Sequence, residues 1–432
     1  MTKYIPNQFQ LFHAENQKQV THRSSTFQDN LSLPIHRWFR FPAGFSALWV
    51  KELIELEKLK GKSHIFDPFV GSGTVLIESE ANNVPSMGLE THPFINRIAR
   101  AKLFWRSNVD EFRKFSLNTL KIAEKLKPSL KDYPNLIQKC YAPEVLSRLD
   151  RLKSAWLKVS DSSPHSELAW VALASILREC SFVGTAQWQY ILPKKIKANV
   201  SDPFRAFESK VSIMASDMAF MHDNISSSEA IIYQEDARNS PSIPDNWADL
   251  VITSPPYANN YDYADATRLE MSFFGEINGW GDLQKTVRKS LIRSCTQHVA
   301  GLNGEKDALL NDRLLGPIIE ELSPKIRLLE SERENHGGKK PYHLMIAAYF
   351  YDMAKVWQNL RRISKKDSLA CFVIGDSAPY GIYVPVDKWL GELALAAGFK
   401  NYRFEKTRDR NIKWKNRKHR VPLHEGRLWV QG

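Results

Sequence analysis

Short apolar runs typical of strands and longer amphipathic stretches typical of helices follow one another along this chain. The segment SHIFDPFVGSGTVLIESEANN reads as a short apolar strand, a glycine turn and a helix, and MGLETHPFINRIARAKLFW repeats the strand and helix. Before them, PIHRWFRFPAGFSALWVKELIELEKL predicts an amphipathic helix with an apolar side of Leu48, Val50, Leu53, Ile54 and Leu56. Two successive strand-helix units favour an α/β fold with an open, mostly parallel sheet.

The same patterns divide the chain into six segments. Residues 1–30 are polar and predict a flexible N-terminal arm, whereas residues 31–104 hold the first part of the sheet. Helical patterns without strands predict insertions at residues 105–228 and 281–340. Apolar strands resume in residues 229–280, within EAIIYQEDARN and ADLVITSPPY. Residues 341–432 complete the sheet with a helix over YFYDMAKVWQNLRRISKKDS, a buried strand in SLACFVIGDS, a closing strand, a very basic loop and a final strand.

The amino-acid composition limits the classes of protein to which this chain can belong. The 432 residues are 43% hydrophobic, which is typical of a folded globular chain, and no apolar run reaches the length of a membrane span. The polar N-terminus does not resemble a secretory signal, so a cytoplasmic protein with no membrane partner is expected. The four cysteines form no CxxC or Cys/His cluster and predict neither disulfides nor a metal site. The formal net charge of +12 favours a polyanionic partner such as nucleic acid.

The glycine turn in IFDPFVGSGT is a candidate site for a nucleotide-like cofactor. Glycines let the backbone pass close to a ligand, and the N-terminus of the helix that begins near Thr74 offers N–H donors. Glu90 ends the second strand at the spacing from the turn at which nucleotide folds place an acid for ribose hydroxyls. A phosphate loop is disfavoured, because no Gly-Lys-Ser/Thr follows and Asp67 would repel phosphate. An ammonium-bearing ligand, such as S-adenosylmethionine, suits Asp67 better.

At this point the sequence resembles the DNA amino-methyltransferases, which methylate N4 of cytosine or N6 of adenine. Their cofactor motif, D-P-F-x-G-S-G-T, is matched by residues 67–74, and their catalytic motif, [DNS]-P-P-[YFW], by residues 254–257. The segment HRWFRFPAGFS is similar to the family's segment that lies against bound cofactor. The cofactor motif comes first here, an order permuted relative to many family members. The resemblance implies a Rossmann-like, seven-stranded methyltransferase sheet with helical insertions.

The resemblance also implies S-adenosylmethionine as the cofactor and gives the residues that bind it. Glu90 is expected at the ribose, and Asp236, with its neighbour Ala237, at the adenine. The remaining cofactor-binding residues are those of the turn: Asp67, Pro68, Phe69, Gly71, Ser72, Gly73 and Thr74.

The resemblance assigns catalysis to the run Ser254, Pro255, Pro256 and Tyr257. The Ser254 side chain and the Pro255 carbonyl would accept the N–H bonds of an exocyclic amino group, and the rigid prolines would fix these acceptors in advance. Tyr257 would stack on a base flipped out of the duplex. Serine at the first position is typical of cytosine-N4 enzymes, whereas adenine-N6 enzymes more often use Asp or Asn. Tyr261 and Tyr263 fit either packing at a sheet edge or contact with the base or DNA backbone.

The sequence therefore predicts a site-specific cytosine-N4 DNA methyltransferase, the modification enzyme of a restriction–modification system. Adenine-N6 methylation is the nearest alternative. A tRNA guanine-N2 methyltransferase and a catalytically inactive nucleic-acid-binding module are less favoured. Cytosine-C5 chemistry is disfavoured, because none of the cysteines has the sequence context of a nucleophile.

Double-stranded DNA is the expected partner, together with a cognate restriction endonuclease acting on the same site. The segment RDRNIKWKNRKHR would neutralise DNA phosphates and make binding salt-dependent. Its candidate DNA-binding residues are Arg408, Arg410, Lys413, Lys415, Arg417, Lys418 and Arg420. Either insertion could read the bases, and residues 281–340 are the candidate target-recognition region.

Overall fold

A seven-stranded sheet lies at the centre of the computed structural model, which describes residues 27–185, 191–222, 228–302, 304–410 and 421–432. The strands are β1 (Ile65–Asp67), β2 (Ser86–Leu89), β3 (Val183–Thr185), β4 (Ile191–Ile196), β5 (Ala230–Tyr233), β6 (Ala248–Thr253), β7 (Ser364–Gly375), β8 (Asn401–Arg410) and β9 (Leu423–Gln431). The helices are α1 (Ala47–Leu59), α2 (Thr74–Ala81), α3 (Pro93–Leu103), α4 (Val109–Lys125), α5 (Asn135–Gln138), α6 (Pro143–Val159), α7 (Pro164–Cys180), α8 (Pro203–His222), α9 (Tyr263–Ala266), α10 (Arg268–Phe274), α11 (Asp282–Thr286), α12 (Lys306–Leu310), α13 (Ile319–Glu334), α14 (Tyr342–Ile363) and α15 (Val386–Ala396).

The central sheet has the strand order β5-β2-β1-β6-β7-β9-β8. β1 pairs in parallel with β2 and β6, β2 with β5, and β6 with β7, whereas β9 runs antiparallel to both of its neighbours. This confirms the predicted seven-stranded, mostly parallel sheet of Rossmann-like methyltransferases. Between β1 and β6 the chain changes the direction in which it adds strands, and open α/β sheets bind ligands at the carboxyl ends of strands at such a point.

Alternate residues of the strands pack into separate cores on the two faces of the sheet. On one face Ile65 and Leu250 join Trp49 of α1. On the other face Phe66 and Val251 join the core that contains α14 and α15. This alternation follows from strand geometry, because successive side chains point to opposite faces. Among the described helices, none combines the length and the apolar character needed to cross a bilayer.

The first predicted insertion is mainly helical but contains a two-stranded sheet. Helices α4, α6, α7 and α8 share a hydrophobic core with α3. The same region holds β3 and β4, which pair antiparallel to one another. The sequence prediction missed this ribbon because β3 has three residues, too few to show the two-residue period of a strand.

The boundary between α14 and β7 also differs from the prediction. The helix ends at Ile363 and the strand begins at Ser364, four residues before the predicted start. Ser364 pairs with Ala248, and the register shifts before Leu250 pairs with Leu369. The polar residues of ISKKDS therefore extend the strand, because the pairing with β6 determines its start.

Candidate active site

The glycine turn follows β1 as predicted. Gly71 has φ +53° and Gly73 has φ +94°, the left-handed region that glycine adopts without a steric penalty. Gly73 is the N-cap of α2, which begins at Thr74. A Cβ on Gly71 would lie 2.9 Å from Cε1 of Phe41, so the aromatic ring packs directly over the turn. The backbone path therefore favours glycine at both positions, and the close approach of Phe41 adds a second reason at Gly71.

A cavity opens above this turn, and we call it the turn cavity. Of the predicted cofactor-binding residues it contacts Pro68, Phe69, Gly71, Ser72, Thr74, Glu90, Asp236 and Ala237. The predicted segment before α1 contributes Phe41, Ala43, Gly44 and Phe45, and the catalytic run contributes Ser254 and Pro256. Residues more than 180 positions apart in sequence thus meet at the switch point of the sheet.

Asp67 and Gly73 do not line the turn cavity. The Asp67 carboxylate lies buried beneath the turn, where Oδ1 accepts hydrogen bonds from Thr253 Oγ1 at 2.6 Å and from the Phe69 N–H at 3.0 Å. Among the described residues, the Oδ2 atom has no hydrogen-bond partner. Burial raises the pKa of Asp67 to about 7, despite these donors. The hydrogen bond to Thr253 connects the end of β1 to the end of β6. The contact of Asp67 with a ligand ammonium stays a prediction.

Glu90 is placed where β2 ends, with its carboxylate against the turn. Oε2 accepts a hydrogen bond from the Gly71 N–H at 2.9 Å, and Oε1 accepts one from the His92 N–H at 2.8 Å. Burial raises the pKa of Glu90 to about 7, and the neighbouring Asp67 carboxylate contributes to the increase. A ligand with hydroxyl or cationic groups would favour the ionised form of this acid.

Asp236 follows β5 and is held by an arginine. Arg238 Nε donates to both carboxylate oxygens of Asp236, at 2.9 and 3.0 Å, and Arg238 Nη1 lies 3.1 Å from Asp352 Oδ1 on α14. Burial and two carboxylate partners hold the guanidinium in place, so the Asp236 side chain has a fixed orientation at the cavity wall.

Lys102 on α3 was not identified from the sequence. Its buried amine lies beneath the glycine turn. Its Nζ atom donates to the Ser72 carbonyl at 2.9 Å and lies 3.5 Å from the His36 carbonyl. Burial lowers the pKa of Lys102 to about 7. The amine therefore connects the turn to the segment that precedes α1.

A second pocket lies on the other side of Ser254, and we call it the tyrosine pocket because it is lined by Tyr257, Tyr261 and Tyr263. Ala43, Gly44, Phe45, Ser254 and Tyr263 line both this pocket and the turn cavity. The Ser254 hydroxyl donates to the Val373 carbonyl at 3.1 Å, which leaves its oxygen lone pairs as acceptors. Pro255 is buried and contacts neither pocket. The rings of Tyr261 and Tyr263 meet edge to face, with centroids 4.5 Å apart.

The predicted DNA-binding segment reaches this pocket at its first residues. Arg408 lines the tyrosine pocket, and Arg410 lies with its guanidinium 5.4 Å from the ring centroid of Tyr257. Arg410 Nη1 donates to the Asp376 carbonyl at 2.8 Å. Lys413, Lys415, Arg417, Lys418 and Arg420 lie outside the described residues.

Several lining residues were not predicted. Thr91 and His92 follow Glu90 directly, and Glu235 precedes Asp236, so their closeness to predicted residues was an available signal. Ser290, Leu291 and Ile292 come from the second predicted insertion and line the turn cavity. No local pattern marks these three residues, because a long-range chain path brings them to the sheet.

The four cysteines are free and buried. Burial raises the pKa of Cys140 to about 11 and those of Cys180 and Cys295 to about 12. The described residues that line the two pockets include no cysteine. A thiolate nucleophile at this site therefore has no support in the described chain.

The chain has relatives among known proteins. No protein-family model matches the chain. The chain is similar to the Type II methyltransferase M.BsoBI of Geobacillus stearothermophilus, with 25% identity over 420 residues that cover 87% of this chain and 80% of that protein. For M.AvaI of a Nostoc species the identity is 27% over 408 residues, 87% of this chain and 81% of the relative. For M.MvaI of Kocuria varians the identity is 22% over 388 residues, which cover 85% of this chain and 81% of that protein. Over most of its length the chain is thus similar to proteins named Type II methyltransferases.

Proposed function

We propose that this protein is a DNA methyltransferase that transfers a methyl group from S-adenosylmethionine to the exocyclic N4 amino group of cytosine. The observation that carries the proposal is the position of Ser254, which lines both the turn cavity and the tyrosine pocket. A transfer enzyme needs a donor site and an acceptor site that share one wall.

The turn cavity fits S-adenosylmethionine. The glycine turn at the α2 N-terminus offers backbone donors, Phe41 and Phe45 offer apolar rings, and Glu90 and Asp236 offer carboxylates for hydroxyl and amino groups. In their ionised forms, the Glu90 carboxylate at the cavity wall and the Asp67 carboxylate buried beneath the turn would provide negative charge for the cationic groups of such a ligand. When bound, S-adenosylmethionine supplies a methyl group activated by its attachment to a sulfonium.

The catalytic run supplies acceptors for the amino group of the base. The lone pair of an exocyclic amine is delocalised into its ring and is a poor nucleophile. Ser254 Oγ and the Pro255 carbonyl would accept its two N–H bonds and favour a tetrahedral nitrogen. The Ser254 hydroxyl donates to the Val373 carbonyl, and the lone pairs of its oxygen are available to accept. Tyr257 would stack on a base that has left the duplex.

Type II methyltransferases among the similar proteins support a role for this chain in a restriction–modification system. Double-stranded DNA would then be the substrate, and a cognate endonuclease would act on the same site. Serine at the first position of the catalytic run is the feature that favours cytosine N4 over adenine N6.

The test is incubation of the protein with labelled S-adenosylmethionine and either unmethylated genomic DNA or tRNA, followed by mass spectrometry of the nucleosides. N4-methylcytosine in the DNA is the expected product. N6-methyladenine in the DNA, or methylated guanosine in the tRNA, would replace the proposal. Binding of cofactor and DNA without any transfer would instead identify an inactive binding module.

A further inference from the structure

An arginine–glutamate pair lines the tyrosine pocket beside the catalytic run. Arg408 on β8 and Glu425 on β9 are direct partners across the antiparallel ladder. Arg408 Nε and Nη2 donate to the two Glu425 carboxylate oxygens at 3.0 and 2.9 Å. The Glu425 side chain is 6% exposed and the Arg408 side chain 45% exposed, so the carboxylate is buried behind a guanidinium that faces the pocket. A two-point contact of this kind fixes the plane of the guanidinium.

Neighbouring contacts hold this pair in place. The ladder register shifts between Lys406 and Arg408, and Thr407 Oγ1 donates to the Glu425 carbonyl at 3.0 Å. Such an irregularity redirects a side chain relative to a regular strand. The pair thus has a defined orientation at the wall that it shares with Tyr257 and Ser254.

We propose that Arg408 recognises the N3 and O2 atoms of the target cytosine, and that Glu425 orients Arg408 for this purpose. The inference rests on the proposed cytosine-N4 function and names the residues that select the base. With N4 at Ser254, the Watson–Crick edge of cytosine presents two adjacent acceptors, N3 and O2. Because Glu425 occupies Nε and one side of Nη2, the Nη1–Nη2 edge of the guanidinium carries the donors for these acceptors.

Adenine does not match this donor edge. With its N6 atom at Ser254, adenine presents N1 as an acceptor but a C–H group where cytosine carries O2. One N–H donor of Arg408 would then lose its partner, and an unpaired buried donor penalises binding.

The pair suits a base better than a phosphate. The Glu425 carboxylate neutralises the Arg408 charge and would repel a phosphate oxygen, whereas the uncharged edge of a base gains hydrogen bonds without that repulsion. Arg408 thus takes a different role from the phosphate contact expected of the basic segment as a whole.

The decisive variants are Arg408→Met and Arg408→Lys, assayed with labelled S-adenosylmethionine and unmethylated genomic DNA. Both should lower the rate of N4-methylcytosine formation at saturating DNA by about 10- to 100-fold, the range expected when a two-point hydrogen bond to a base is removed. Lysine keeps the charge but not the planar fork, so a phosphate contact would survive this change. The cofactor dissociation constant should remain at the wild-type value in both.

Arg403→Met is the matched control, because it removes one positive charge from the same strand at a residue that lines neither described pocket. It should retain the wild-type rate. Because Arg408→Met removes the guanidinium that neutralises the Glu425 carboxylate, the double variant Arg408→Met/Glu425→Leu removes both charges and should show the same decrease in rate with native thermal stability.

Glu425→Gln tests the positioning role. It should lower the transfer rate at saturating DNA while the thermal stability and the cofactor dissociation constant keep their wild-type values. A purely structural role would instead lower the thermal stability and leave the transfer rate of the folded protein unchanged.

Two results would overturn the inference and leave the proposed function intact. One is a wild-type transfer rate in Arg408→Lys. The other is a decrease of about 0.9 in the slope of log K against log salt for DNA binding by Arg408→Met, which is the change expected when one phosphate is no longer neutralised. Formation of N6-methyladenine by the wild-type protein would be visible in the same assay and would remove both.

Discussion

Ser254 is the residue at which the two halves of the proposed reaction meet. It lines both pockets, and its hydroxyl proton is directed to the Val373 carbonyl. Its neighbour Pro255 is buried, which holds the peptide that carries the second proposed acceptor. The sequence identified these residues by type, and the structure adds that the serine hydroxyl donates to Val373 while its oxygen lone pairs can accept.

Replacement of this serine should separate chemistry from cofactor binding. We expect Ser254→Ala to lower the rate of methyl transfer by about 10²- to 10³-fold, the cost of one preorganised electrostatic interaction. Cofactor affinity, measured by calorimetry, should be unchanged. Ser331→Ala, which changes an exposed serine of α13 that lines neither pocket, is the control and should have little effect on the rate. Loss of cofactor binding in Ser254→Ala would contradict the assigned role.

Cofactor affinity should depend on pH through Glu90. Because burial raises the pKa of this acid to about 7, a rise in pH through 7 ionises the carboxylate that a ligand with hydroxyl or cationic groups prefers. The dissociation constant should therefore fall about 10-fold from pH 6 to pH 8, as expected for binding to the ionised form. Titration calorimetry at both pH values measures this change.

Glu90→Gln is the matched variant, since the amide cannot ionise. Its affinity should be weaker and much less dependent on pH. An equal pH dependence in this variant would assign the titration to another group, of which Asp67, with its pKa also raised by burial to about 7, is the first to examine.

At the scale of elements, the first insertion holds the segment that covers both pockets. The buried Asp217 on α8 accepts hydrogen bonds from the Ile35 N–H at 3.2 Å, Trp38 Nε1 at 2.9 Å and Arg37 Nε at 3.0 Å. The chain continues from there to residues 41–45, which line the turn cavity and the tyrosine pocket. The insertion therefore contributes to the site without supplying a described lining residue.

Asp217→Ala should loosen this attachment. Two buried donors, the Ile35 N–H and Trp38 Nε1, lose their acceptor, which should cost on the order of 1–3 kcal/mol of unfolding free energy per unsatisfied group. Cofactor affinity should fall as well, because residues 41–45 lose their support. Thermal and denaturant unfolding, with calorimetry, measure the two effects. Glu208→Ala, at an exposed carboxylate of the same helix, should change neither. Unchanged cofactor affinity in a destabilised Asp217→Ala would show that residues 41–45 are held independently.

At the scale of the whole molecule, the pockets open at the carboxyl edge of the sheet, and the net charge of +12 favours DNA in general. The described arginines nearest the tyrosine pocket are engaged in internal contacts, Arg408 with Glu425 and Arg410 with Asp376. Phosphate binding is thus expected of the remaining cations of the basic segment, Lys413, Lys415, Arg417, Lys418 and Arg420.

Charge removal in that segment should reduce the salt dependence of DNA binding. For Lys413→Gln/Lys415→Gln/Arg417→Gln we expect the slope of log K against log salt to fall by about 0.9 for each phosphate that is no longer neutralised. Fluorescence anisotropy with a labelled duplex over a salt series measures the slope. The control Lys58→Gln/Lys60→Gln/Lys62→Gln removes the same charge just before β1, at the opposite edge of the sheet. An equal reduction in the control would indicate a general charge effect.

The sequence by itself indicated the seven strands of the central sheet, the glycine turn, Glu90 and the run at residues 254–257. These features are local, since a strand shows its period within a few residues and the turn requires glycine at Gly71 and Gly73. Only the tertiary structure decided which distant residues share a wall. Chain paths of tens to hundreds of residues bring Ser290–Ile292 to the turn cavity, direct Asp67 beneath the turn toward Thr253, and pair Arg408 with Glu425. Contacts at such separations depend on packing of the whole sheet and its insertions, which leaves no periodic pattern in the amino-acid order.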